Sequence, residues 1–90
     1  MAEDRTHNGW KNYETWACAL WLDNDQDSYN EARRVSRQPL HDWQAAEDLK
    51  AWVEDMMPDL GASMWSDLLR GAFEKIDWHE VVEHYREDED

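Results

Sequence analysis

Asp23, Asn24, Asp25, Gln26 and Asp27 put oxygen-bearing side chains at alternate positions, as the opening of a calcium loop does. Such a loop turns sharply on Gly at its sixth position and closes with a bidentate Glu at its twelfth. Here those positions hold Ser28 and Arg34, so the segment reads as polar caps at a junction between two helices. His79, Glu80, Glu83 and His84 raise the question of zinc. A zinc-protease helix needs its second His where Glu83 stands, and the inverted pattern needs Glu and His at 82 and 83. Five residues apart, the two His do not share a helix face. With one Cys and scattered His, no zinc constellation is expected.

Cys18 falls in an apolar segment with no base nearby in sequence, so it reads as a small buried hydrophobe rather than a nucleophile. Glu47-Asp48 and Glu54-Asp55 are carboxylate pairs of the kind that does acid–base work. Catalytic carboxylates need a pocket to shift their pKa, and these pairs lie opposite the apolar stripe, on the face that meets water. Three Gly in the whole chain leave no phosphate-cradling loop. No catalytic residue, metal or cofactor is expected, and the chain reads as a non-enzyme.

The elements that position these residues follow from an apolar period that is helical throughout. A first helix is expected over Tyr13–Asp23, capped by Asn12. Its stripes are Tyr13, Trp16, Leu20 and Ala17, Trp21, a wide apolar arc that predicts the central helix. A second runs from Asp25 or Asp27 to about Arg37, with a thin stripe of Tyr29, Ala32 and Val35. Pro39 separates it from a third over Leu40–Met57, with Trp43, Ala46, Leu49, Val53 and Met56 in its stripe and Pro58 just past its end. Ser63 caps a fourth, whose pattern Gly71 weakens by roughly 1 kcal/mol relative to Ala. Asp77, with Glu80 three residues on, opens a fifth like a capping box, with Trp78, Val81, Val82 and Tyr85 facing inward. The expectation is an all-α, compact bundle of about five short helices with a Trp-rich core, one domain over residues 1–90, with 1–7 and 87–90 fraying. Of the seven Trp, Trp10 and Trp52 are the ones expected at the surface.

Charge is the strongest signal. Twenty-two Asp and Glu face nine Lys and Arg in 90 residues, a net of −13. A small domain ordinarily carries a net charge of magnitude ~2–8, and an excess this large destabilises the compact state by self-repulsion. Residues 1–37 carry −2 and residues 38–90 carry −11. Base stacking on Trp goes with a basic groove, so direct nucleic-acid binding is disfavoured. No run approaches the ~18 apolar residues of a membrane span, and no signal peptide is visible, which together predict a cytoplasmic protein.

The block Asn8-Gly9-Trp10-Lys11-Asn12-Tyr13-Glu14-Thr15-Trp16, continuing through Leu20-Trp21-Leu22-Asp23-Asn24-Asp25, resembles small, largely uncharacterised proteins of phages, plasmids and archaeal viruses that open with this signature. The resemblance implies a mobile-element origin and no activity or site. Physically the block reads as a leader folding over the first helix, with Trp10, Tyr13 and Trp16 packed together.

A small acidic mobile-element protein without chemistry suits a DNA-mimic inhibitor. Duplex DNA carries one negative charge per ~1.7 Å of axis, and rows of carboxylates on rigid helices imitate that field. The expected partner is a basic, DNA-binding host protein in the host cytoplasm: a CRISPR effector, a restriction enzyme or a uracil-DNA glycosylase. The expected acidic surface comprises Asp42, Glu47, Asp48, Glu54, Asp55 and Asp59, then Asp67, Glu74, Glu80, Glu83 and Glu87, with Trp52, Met56 and Met57 as apolar anchors. One alternative is an acidic protein of the salt-loving type, since the chain has three Lys against six Arg. Another is a structural or adaptor module, a homodimer through exposed Trp.

Overall fold

Four of the five helices begin at a side chain that accepts one of the backbone N–H groups a helix start leaves without an internal partner. In this computed structural model, which describes residues 8–87, Asn12 Oδ1 accepts from Thr15 N at 2.9 Å to open α1 (Tyr13–Asn24). Asp25 Oδ2 accepts from Ser28 N at 3.3 Å for α2 (Gln26–Ser36), and Ser63 Oγ from Ser66 N at 3.1 Å for α4 (Met64–Glu74). Asp77 Oδ1 accepts from Glu80 N at 3.2 Å for α5 (Trp78–Glu87). In α3 (Asp42–Asp55), Gln44 Oε1 instead accepts the His41 N–H at 3.2 Å.

The expected all-α bundle of five short helices is what the chain forms. The third helix is shorter than expected. The Leu40 carbonyl is taken by Arg86, and Met56 and Met57 turn back onto the carbonyls of Val53 and Glu54 before Pro58. The expected fraying of 1–7 and 88–90 lies outside the described residues, while Glu87 is the last residue of α5.

The central helix is α5, not α1. Val81, Val82 and Tyr85 are wholly buried and Trp78 nearly so, and α5 packs against α1, α2 and α3. The wide aromatic arc of α1 faces outward. Its core line is Thr15, Ala19 and Leu22, at spacings of four and three. The same choice recurs in α3, where Ala45, Ala46 and Leu49 meet the core and Trp43 is pushed to the surface. Small residues let helix axes approach closely, and a Trp on the contact line would hold them apart.

The Trp residues therefore divide differently from expectation. Trp78 is in the core, and Trp10 and Trp52, expected outside, pack partly buried against it. Trp21, Trp65 and Trp43 are 72%, 64% and 58% exposed. Trp10, expected to pack with Tyr13 and Trp16, lies edge-on to His84 of α5, with ring centroids 5.0 Å apart, so the leader folds over the last helix. Tyr13 and Trp16 do pair, at 5.6 Å.

Two hydrogen-bonded ties hold α5. At its start, the buried Thr15 hydroxyl donates to Asn12 Oδ1 at 2.6 Å and accepts the Asp77 N–H at 2.9 Å. Asn12 Nδ2 donates to the Lys75 carbonyl at 2.8 Å, and Glu80 Oε1 accepts the Lys11 N–H at 2.9 Å. The expected capping box is thus only half closed, because Glu80 reaches the leader instead of its own cap. At the other end, Arg86 donates to the carbonyls of Ser36, Gln38 and Leu40 at 2.6, 2.9 and 2.9 Å, and Arg37 Nε donates to the Tyr85 carbonyl at 2.8 Å.

By contrast, α4 contributes one buried residue, Phe73, whose ring sits 5.3 Å from that of Trp78.

Replacing Thr15 with Val removes a buried hydroxyl with two partners and strands the Asp77 N–H. The expected loss is about 1–3 kcal/mol in urea unfolding, with Thr15→Ser recovering most of it. Gly71 has ordinary helical φ and open space where a Cβ would go. Gly71→Ala is expected to stabilise by about 0.5–1 kcal/mol, read as a higher Tm.

Candidate docking surface

Residues 42–74 hold eight acids and two bases, a net of −6. On α3, Glu47 and Glu54 are seven residues apart, as are Asp48 and Asp55. Each pair therefore lies on one row, ~10 Å apart along the axis. All four are exposed and none has an ion pair among the described residues. Asp67, Glu74, Glu83 and Glu87 are exposed and unpaired in the same sense. Asp59 is exposed, and its Oδ1 accepts the Gly61 N–H at 3.0 Å in the turn after α3, where Gly61 has φ +68°. Two of the expected surface acids are engaged internally: Asp42 pairs with Arg86 at 2.5 Å, and Glu80 holds the leader.

Several of these carboxylates stand where a helix least favours them. The C-terminal end of a helix carries partial negative charge. Glu54 and Asp55 close α3, and Glu74 closes α4, and neither last turn contains a cation. Lys50, Arg70 and Lys75, the bases close to these ends in sequence, form no ion pair among the described residues, and most of the other cations are engaged elsewhere in the fold. Arg86 serves three carbonyls and Asp42, Lys11 Nζ lies 3.6 Å from Asp77, and Arg33 stacks over the Tyr29 ring at 5.5 Å. Arg34 bonds Glu31 within α2; its hydrogen bond holds the Glu31 carboxyl below the usual carboxylate range.

The expected apolar anchors are only partly free. Met56 is exposed, but Trp52 and Met57 pack against the core. The large exposed apolar side chains are instead Tyr13, Leu20 and Trp21 of α1, Trp43 of α3, Met64, Trp65 and Leu68 of α4, and Leu60 before it. The clue in the sequence was the line of small residues in α1 and α3, which claims the core and leaves Trp21 and Trp43 outside.

Because α4 is held so loosely, clefts open along both its sides. One of about 300 Å³ lies between α4 and the turn after α3, lined by Glu54, Asp59, Ser66 and Arg70 among others. Another, of about 220 Å³, lies between α4 and α1. Its walls are Tyr13, Ala17 and Trp21 on one side and Leu69, Ala72 and Phe73 on the other. Cys18 lies in this second groove, where burial pushes its thiol up to about 12, so it is protonated and unreactive at neutral pH.

Tyr85 Oη donates to Asp23 Oδ1 at 2.6 Å, and burial, then this bond, hold its phenol above the ordinary value. His84 Nε2 lies 3.6 Å from the other Asp23 oxygen, so Asp23 ties α1 to α5. The stretch Asp23–Asp27 is the junction of α1 and α2, with Asp25 as a cap. Among the described residues, no group of three or more His, Cys, Asp or Glu is placed to hold a metal ion. None of their helices is long and apolar enough to cross a membrane.

A family model described as a family of unknown function, DUF7249, matches residues 3–89, and the chain belongs to that family. No curated protein and no solved structure matches it.

Neutralising the α3 rows with Glu47→Gln, Asp48→Asn, Glu54→Gln and Asp55→Asn together is expected to stabilise the fold by about 0.5–1 kcal/mol at low salt, through relief of self-repulsion and of the helix-end clash. The gain should shrink as NaCl rises, because screening already removes most of the repulsion. Melting curves of both proteins across a salt series measure this.

Proposed function

We propose that this DUF7249 protein is a DNA-mimic inhibitor, a non-enzymatic protein that occupies the DNA-binding surface of a basic host protein in the cytoplasm of the host cell. The observation that carries the reading is the pair of carboxylate rows on α3, Glu47/Glu54 and Asp48/Asp55, without ion pairs among the described residues and with Glu54 and Asp55 kept where the helix end disfavours them. Charge held against stability points to a use for that charge. A rigid helix also presents carboxylates at fixed spacing, which a partner built to grip phosphates can engage with its Arg and Lys side chains.

The role needs no pocket, metal or catalytic group. Encounter with a basic channel is steered by the field of the whole acidic surface, and Asp59, Asp67, Glu74, Glu83 and Glu87 extend that field beyond α3. Candidate targets are nucleases of CRISPR and restriction systems and DNA-repair glycosylases, each of which holds DNA in an electropositive cleft. The low Lys content supports a second reading, an acidic protein adapted to high salt. It predicts a chain that folds only in molar KCl, whereas the inhibitor folds in dilute buffer.

Competition with duplex DNA for such enzymes, in a salt series, tests the proposal. The wild-type chain should displace DNA, most strongly at low ionic strength, and the fourfold α3 neutralisation should weaken displacement by at least about tenfold. No displacement at low salt from any electropositive DNA-binding enzyme, or equal displacement by the neutralised variant, overturns it.

A further inference from the structure

The groove between α1 and α4 has a different chemistry from the carboxylate rows. Tyr13, Ala17 and Trp21 succeed one another at intervals of four along α1 and form one wall. Leu69, Ala72 and Phe73 of α4 form the other, and the space between is about 220 Å³. Trp65 lies seven residues before Ala72 and so continues that wall along the same row of α4. The rims are among the most exposed apolar side chains of the protein, Trp21 and Trp65 above all. Isolated exposed hydrophobes are ordinary, but a contiguous apolar face between two helices marks an interaction site.

Two helical walls with apolar residues at intervals of three and four suit a third helix laid between them. Charge decides whose helix it is. Glu14 is the one charged side chain among those lining the groove, and the α3–α4 region carries −6 within a chain of −13. A second copy would set that excess against itself across the interface. A cationic helix would neutralise it while burying its own apolar stripe. We propose that the α1–α4 groove receives a basic amphipathic helix of the partner protein, giving the charge-steered encounter a salt-resistant anchor. This inference rests on the reading of the chain as an inhibitor of a basic protein and adds where and how that partner is gripped.

The test uses the full chain and a synthetic helix of about four turns, made of Leu and Lys with Leu at helical spacing. Two controls accompany it: the same composition in a non-amphipathic order, and a version with Glu in place of Lys. The Leu/Lys helix should bind and shift the NMR signals of Ala17, Ala72 and the Trp21 indole. It should remain bound in about 1 M NaCl, where the Debye length is ~3 Å, and both controls should bind at least about tenfold more weakly. Trp21→Ala empties one wall and Ala72→Gln fills the groove. Both positions are exposed and neither change alters net charge, so each should weaken binding about tenfold while the fold persists.

Equal binding of the non-amphipathic order, shifts confined to the α3 carboxylate rows, or binding lost at 1 M NaCl would overturn the groove as an anchor. So would a concentration-dependent doubling of mass abolished by Ala72→Gln, which would assign the groove to a second copy. The two readings fail separately. Loss of helix binding with DNA competition intact removes the groove alone. Helix binding without any DNA competition removes the mimicry and leaves an adaptor for a cationic helix.

Discussion

Everything in this protein is arranged around the fixing of α5 at both ends by polar groups of other elements. At its first turn the Thr15 hydroxyl takes the Asp77 N–H, which ties the starts of two helices distant in sequence. At its last turn Arg86 gathers three carbonyls from the end of α2 and the connection to α3. Those carbonyls belong to a helix end and a tight connection, where backbone acceptors lack helical partners, although the Gln38 carbonyl also accepts the Leu40 N–H at 2.7 Å. One guanidinium, with its forked donors, meets that need in a way an ammonium could not. With both ends held, Val81, Val82 and Tyr85 fill the centre, and α1, α2 and α3 find their places against them.

This arrangement explains why so acidic a chain holds together. Cations are scarce, and those the fold recruits are used where they bond backbone or brace an element. Arg86, Arg37 and Lys11 act at joints. Apart from Asp42, the carboxylates of α3 and α4 are left to solvent without ion pairs among the described residues. Structural charge and surface charge are thereby separated: the first is short-range and hydrogen-bonded, the second long-range and screened by salt.

Much of the fold was legible in the sequence because capping is local chemistry. Asn12, Asp25, Ser63 and Asp77 each announce a helix start within four residues, and Pro39 and Pro58 bound the third helix. The burial of Trp was not legible from periodicity. Hydrophobic patterning ranks residues by apolarity, so it chose Trp16, Trp21 and Trp43 as core. Helix packing ranks them by fit, and chose Thr15, Ala19 and Ala45 beside the expected Ala46. The exposed acids on α3 were readable as the face opposite Leu49. The engagement of Asp42 and Glu80 was not, since their partners lie 44 and 69 residues away. The α1–α4 groove was invisible for the same reason, being a property of how loosely one helix lies on another.

That looseness bears on how the chain folds. Helix α3 ends at Asp55 and α5 begins at Trp78, and everything between, α4 included, is from the standpoint of the core a loop. The entropy of closing a loop rises slowly with its length, about 0.6 kcal/mol for each doubling. The contacts of α3 with α5 therefore need little from α4 beyond Phe73. A helix held through one buried side chain can change its outer face without disturbing how the rest assembles.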